Sequence, residues 1–238
     1  MKTKIYVAVC LLLVTGSLNI NGVMASGTDN PLLLNVLFEE LEWRDTADDN
    51  AFAWRGEIWL GKDRDKALLK TRGETTSDAT EEFELQALYS RAIARYWDLQ
   101  LGWRGDFQPT ARRDWGTIGV QGLAPGFIET ELAAFAGESG RTSLRARGAY
   151  EMRITNRLLL EPELELNWYG KDDPENGIGA GLSNLEAGLR LRYIIRREIA
   201  PYIGLSWEKA YGDTRSYIEA AGGDPSDLQF LAGLRFWF

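Results

Sequence analysis

The sequence predicts an all-β fold, a twelve-stranded antiparallel up-and-down transmembrane β-barrel, with ten to fourteen strands compatible with the pattern. Three observations predict it. Apolar and polar residues alternate with period two through most of the chain, the signature of strands with one apolar face. The alternating segments are long: a soluble strand averages about 5–6 residues, whereas about 9–11 tilted residues cross a bilayer. The connections between them are alternately brief and long, as short turns and long loops alternate in outer-membrane barrels.

Taken in order, the segments are 33–44, 51–61, 65–75, 81–91, 95–107, 114–124, 127–136, 142–155, 157–169, 184–196, 199–210 and 227–238. The first is the least regular, because Glu39, Glu40 and Glu42 occupy both parities. In the second, Phe52, Trp54 and Ile58 alternate with Ala53, Arg55 and Glu57. In the fifth, Trp97, Leu99, Leu101 and Trp103 alternate with Asp98, Gln100 and Arg104. The ninth sets Leu160, Leu164 and Leu166 against Glu161, Glu163 and Glu165, and the tenth sets Leu185, Leu189 and Leu191 against Glu186, Arg190 and Arg192. The last carries Leu228, Phe230, Ala232, Leu234, Phe236 and Phe238 on one face, and this strand with its terminal Phe resembles the signal read by the outer-membrane barrel assembly machinery, an expected partner. Trp43, Trp115, Trp168 and Trp207 fall near long-loop ends, and Tyr96, Trp97, Phe127, Tyr193 and Tyr202 near short-turn ends. They are expected to form two interfacial aromatic girdles.

Composition removes whole classes of chemistry. The chain has 238 residues, 45% hydrophobic and 26% charged, too apolar for a disordered protein. It contains no histidine and one cysteine, Cys10, so Ser-His and Cys-His devices, zinc fingers and iron–sulfur centres are excluded. A net charge of -8 argues against nucleic-acid binding. Residues 1–25 read as a signal peptide: Lys2 and Lys4 precede the apolar run Ile5 to Val14, and Val23-Met24-Ala25 offers a cleavage site. The barrel is then expected over 26–238, in the cell outer membrane, as a monomer in contact with lipid.

The chain resembles the outer-membrane copper resistance protein B family. The resemblance runs from about Asn30 to Phe238, carried by Leu41-Glu42-Trp43-Arg44, Glu81 to Ile93, Trp97-Asp98-Leu99-Gln100, Gly119 to Pro125, Gly140-Arg141-Thr142, Asn167 to Asn176, Arg190 to Ile203 and Arg235 to Phe238. It implies copper resistance and homeostasis, by binding copper or moving it across the outer membrane, with copper as the ligand and a periplasmic copper oxidase as a partner. Members often carry a Met/His-rich segment before the barrel, where this chain has only Ser26 to Pro31, and tend to have histidine where Gly105 stands. Thiolate, thioether and imidazole are the preferred copper ligands. Apart from Met152, the candidates left are carboxylates.

The candidate metal residues are therefore Glu161, Glu163, Glu165 and Met152. Carboxylates spaced two residues apart on one strand face lie about 6.8 Å apart and repel unless basic neighbours intervene. The same parity places Arg55, Glu57, Glu84, Asp98, Arg104, Asp106, Glu151, Glu186, Arg190 and Arg192 along the lumen. These support two readings, an acidic cation path or an ion-paired network that closes the lumen without binding copper. A barrel enzyme is disfavoured, because such enzymes generally use a histidine base. Asp172 to Gly177 loosely resembles a calcium loop, but Pro174 occupies a ligand position, so a solvated acidic turn is expected.

Overall fold

Residues 31–46, 50–77, 80–108 and 112–238 are described by the computed structural model. The predicted signal peptide lies outside them. Twelve barrel strands follow one another: β1 Leu33–Asp45, β2 Asn50–Gly61, β3 Asp65–Thr76, β4 Thr80–Ala94, β5 Trp97–Gln108, β6 Arg113–Ala124, β7 Ile128–Gly137, β8 Thr142–Tyr150, β9 Leu158–Tyr169, β10 Gly181–Tyr193, β11 Ile199–Ala210 and β12 Ser226–Trp237. Beyond Glu151, a two-residue piece, Met152–Arg153, continues β8 along β9. Each strand pairs antiparallel with the next, and β12 pairs with β1, with Phe38 opposite Phe236 and Trp43 opposite Ala232. The sheet is closed. Among the described residues no helix is long and apolar enough to cross a membrane.

Polarity is inverted relative to a water-soluble core. Leu101, Ile118, Leu132, Leu144, Leu164, Leu189 and Ile203 are exposed, while Glu42, Glu84, Glu165 and Arg190 are each at most 2% exposed. A charge can be buried only if paired, and an apolar band can face outward only if lipid covers it. The alternation read from the sequence is thus a division between lipid and lumen. The buried apolar cluster is small, Trp115, Ala133 and Phe135.

Three local features depart from simple alternation. First, β1 changes register against β2 between Phe38 and Glu40, and against β12 between Phe38 and Glu42. A bulge adds a residue to one strand, so neighbours in sequence can face the same side. That is why both Glu39 and Glu40 reach interior arginines, Arg147 and Arg190 respectively. Second, two residues expected in the aromatic girdles turn inward. Trp115 is buried and donates from Nε1 to Asp106 at 2.9 Å; Tyr202 is buried and donates from its hydroxyl to Glu42 at 2.9 Å. Both lie on the lumen face of their strands, and in each case a buried carboxylate supplies the polar partner that an aromatic N–H or O–H needs there. Trp43, Trp168, Tyr96, Phe127 and Tyr193 are exposed as expected.

Third, the long segment after β11 contains a helix, α1 (Gly212–Ala220), where the sequence pattern shows only a polar loop. Thr214 anchors it, accepting from the Gly179 amide at 2.8 Å and sharing a 2.8 Å hydrogen bond with Ser183. A Cβ at Gly179 would lie 2.5 Å from the Thr214 amide nitrogen, so only glycine permits this approach. Gly222, at φ 86°, turns the chain out of the helix.

Candidate functional site

The lumen is the site. Its side chains are positioned by strand parity, and the barrel's closure brings together residues far apart in the chain. Glu161, Glu163 and Glu165 rise along β9 on the lumen face, and guanidinium groups hold each of them. Glu161 pairs with Arg192, and Arg235 lies 4.0 Å away. Glu163 pairs with Arg55 at 2.8 Å, Arg147 at 2.8 Å and Arg190 at 3.6 Å. Glu165 pairs with Arg72 at 2.8 Å, Arg145 at 3.5 Å and Arg55 at 3.6 Å. The basic neighbours that would cancel carboxylate repulsion are therefore present. Met152 is not brought to these glutamates: it lies opposite Leu160 with an exposed side chain, on the outer face. A thioether there meets lipid, because its parity is that of Leu144 and Tyr150, not of Glu151.

The other lumen candidates form a connected ion-pair network. Arg145 grips Glu84 with two nitrogens at 3.0 and 2.8 Å, and Arg104 reaches the same carboxylate at 2.9 Å. Arg104 also holds Asp106 at 2.7 Å. Arg190 joins Glu42 at 3.1 Å and Glu40 at 2.9 Å. Glu186 pairs with Arg44 at 3.2 Å. Nearer the short turns, Asp98 pairs with Lys66 at 3.0 Å, and Glu151 with Arg192 at 2.5 Å. Glu57 stands opposite Lys70 across the β2–β3 ladder. The carboxylates of β1 were not among the candidates; the only signal for them was the mixed parity of Glu39, Glu40 and Glu42, which marks the bulge. Loss of the Tyr202 hydroxyl removes a hydrogen bond to a fully buried carboxylate. Tyr202→Phe is expected to destabilise the barrel by about 1.5–3 kcal/mol, read from urea unfolding in lipid vesicles.

Two chambers lined by polar side chains lie within this network, with about 520 and 510 Å³ of atom-free space, open solvent at their mouths included. Glu39, Glu57, Lys70 and Glu131 line the first; Arg44, Glu74, Glu186 and Glu208, nearer the long loops, line the second. Arg55, Arg72 and Glu165 line both. This triad is the septum between the chambers. On the long-loop side, carboxylates face one another in register across four strands: Glu165 opposite Glu186, Glu186 opposite Glu208, and Glu208 opposite Asp227. Like charges directly opposite are destabilising. Arginines offset this at Glu165 and Glu186, whereas Glu208 makes no ion pair among the described residues and accepts a 3.1 Å hydrogen bond from Asn184.

The loop after β9 exposes Asp172 and Glu175, as a solvated acidic turn would, but it is latched at Asp173. Asp173 binds Arg113 at 3.2 Å, Arg141 at 3.0 Å and Asn176 at 2.8 Å. Burial would raise its carboxyl, but hydrogen bonds from Asn176 and Arg141 and the charge of Arg113 outweigh it, holding the group below the ordinary aspartate range. For an acid depressed in the folded state, the contribution is fully present above the ordinary value, about 3.9, and disappears as pH falls through the folded-state value. At neutral pH, Asp173→Asn is expected to speed protease nicking between residues 170 and 180. In acid, with Asp173 protonated, pepsin should nick both forms alike.

Copper fits this donor set poorly. The chain has no histidine, and among the described residues no group of three or more His, Cys, Asp or Glu side chains is placed to hold a metal ion. A side chain at Gly105 would not change this. Its Cβ would lie 2.4 Å from the Trp103 ring on the outer face, so a histidine there would not enter the lumen.

The profile described as "Copper resistance protein B precursor (CopB)" matches residues 32–238. The chain belongs to the copper resistance protein B family. It is 43% identical to copper resistance protein B of Escherichia coli over 210 residues, covering 88% of this chain and 71% of that one. It is 44% identical to a copper resistance protein B homolog of Pseudomonas syringae pv. tomato over 200 residues, covering 84% and 68%. Among solved structures, the NanC porin superposes with a TM-score of 0.56 at 14% identity, covering 86% of this chain and 99% of that one. The KdgM porin gives 0.50 at 7% identity, covering 87% and 99%. These two likenesses concern the fold. As a member of the copper resistance protein B family, the chain is an outer-membrane β-barrel.

Proposed function

We propose that this chain supports copper tolerance as a closed outer-membrane barrel, its lumen sealed by ion pairs instead of built around a resident copper ion, and that it performs no enzymatic chemistry. The capture of Glu161, Glu163 and Glu165 by guanidinium groups carries this reading. A carboxylate already satisfied by two or three arginines binds a cation only by giving up those contacts. Carboxylates freed in that way would suit hard cations better than copper. The test is equilibrium dialysis of refolded, detergent-held protein against Cu(I) and Cu(II) separately, beside conductance in planar bilayers. The expected result is no stoichiometric binding of either ion and currents near the lipid baseline. Stoichiometric binding lost in Glu161→Gln/Glu163→Gln/Glu165→Gln would replace this reading with a lumenal copper site.

The carboxylate row from Glu165 to Asp227 favours a second reading, a gated cation path with copper as cargo. An acidic vestibule concentrates cations at its mouth, and Arg55, Arg72 and Glu165 stand where it meets the other chamber. Cation-selective current through the unmodified barrel is the result that would favour this reading over the first.

A further inference from the structure

The two ends of the barrel carry opposite charge. The five short turns between strands hold seven Lys/Arg and three Asp/Glu, whereas the described residues of the six long loops hold four and seven. Three of the short turns repeat one arrangement. Where β4 runs into β5, exposed Ile93 near the end of β4 stands between Arg91 and Arg95; between β8 and β9, Ile154 stands between Arg153 and Arg157; between β10 and β11, Ile195 precedes Arg196 and Arg197. The isoleucines are 57%, 55% and 58% exposed, and all six arginines are exposed. Arg91 has a loose contact with Asp65 at 3.8 Å, and Arg95 lies 5.3 Å from the Tyr96 ring centroid. Arg153, Arg157, Arg196 and Arg197 make no ion pair among the described residues.

We propose that this collar is a binding surface for anionic phospholipid headgroups of the phosphatidylglycerol type, in the leaflet at the short-turn end. An exposed isoleucine beside two guanidiniums suits an interface, where the aliphatic side chain enters the acyl boundary and the cations meet phosphate. The distribution of the sites favours lipid over an acidic protein. They are spaced around the barrel's circumference on three separate hairpins, with Lys62 and Arg64 on a fourth. A leaflet satisfies all of them at once, whereas a protein partner would need them gathered into one patch. Phe127, 77% exposed at the tip of the remaining short turn, adds an apolar anchor at the same end.

The test uses the complete barrel refolded into phosphatidylcholine vesicles containing trace spin-labelled phosphatidylglycerol or spin-labelled phosphatidylcholine. The expected result is a preference of about fivefold for the anionic label, the ratio a single guanidinium–headgroup contact provides at low salt. Rising salt should erase it. Substituting all six arginines with glutamine should also erase it, in protein shown to be folded by its heat-modifiable gel mobility. The control, Arg112→Gln/Arg215→Gln at the long-loop end, should leave the preference unchanged. Equal association of the two labels, or a preference unaltered in the six-arginine variant, would overturn the proposal. Binding of soluble polyglutamate to detergent-held barrel, lost in that variant and with no lipid preference, would also overturn it and assign the collar to an acidic protein.

Discussion

Replacing Arg55 and Arg72 together with alanine is expected to turn a near-silent barrel into a conducting one. These two side chains and Glu165 form the septum that both chambers share. Removing the guanidiniums joins the chambers. It also strips Glu165 of its contacts at 2.8 and 3.6 Å, and Glu163 of its 2.8 Å contact with Arg55. Removing one partner of a buried ion pair costs about 3–5 kcal/mol, mostly through the charge left behind. The double variant should therefore unfold at markedly lower urea while passing current in planar bilayers. Adding Glu165→Ala removes the stranded carboxylate. The triple variant should regain part of the lost stability and stay conductive. Unchanged, baseline current in folded double and triple variants would show that some other layer closes the lumen.

Leu164→Arg should destabilise the barrel by about 2–4 kcal/mol, the depth-dependent penalty for a cation on the lipid face near the bilayer midplane. Leu164 sits mid-strand in β9 and is 44% exposed, flanked by two buried charges, Glu163 and Glu165. One residue along the chain thus separates a position where charge is required from one where it is excluded. Refolding into vesicles of short-chain and longer-chain lipid, followed by urea titration, measures the penalty. A penalty below about 0.5 kcal/mol, the range of neutral surface changes, would place Leu164 away from the hydrocarbon.

Most of the barrel was legible because lipid and lumen impose opposite chemistry on alternate residues, so every strand carries its own label. The strand borders of β2, β6 and β11 follow closely from where alternation stops. The site was legible only as a face. Period two says that Glu161, Glu163 and Glu165 share a side, but not which arginines oppose them, since Arg55 and Arg72 arrive from strands about 100 residues away. The inward turn of Trp115 and Tyr202 was illegible for a related reason. An aromatic residue is compatible with either face, and the Asp106 and Glu42 partners that settle the matter lie on neighbouring or closing strands. Helix α1 was missed because Gly212 to Ala220 is short and its anchor, Thr214, binds a glycine and a serine about 30 residues earlier.

The bonds that fill the lumen join residues distant in sequence: Arg55 with Glu163 across 108 positions, Arg190 with Glu42 across 148, and Tyr202 with Glu42 across 160. Neighbouring hairpins can form while the sheet is still an open ribbon, but these contacts cannot. A half-assembled ribbon exposes its charged face to whatever surrounds it, and in hydrocarbon that is untenable. Joining β1 to β12 and satisfying the interior are therefore expected to be coupled, with slow closure of the kind set by non-local contacts. A partly inserted ribbon would lack these pairs, so the β1–β12 seam doubles as the latch of the interior.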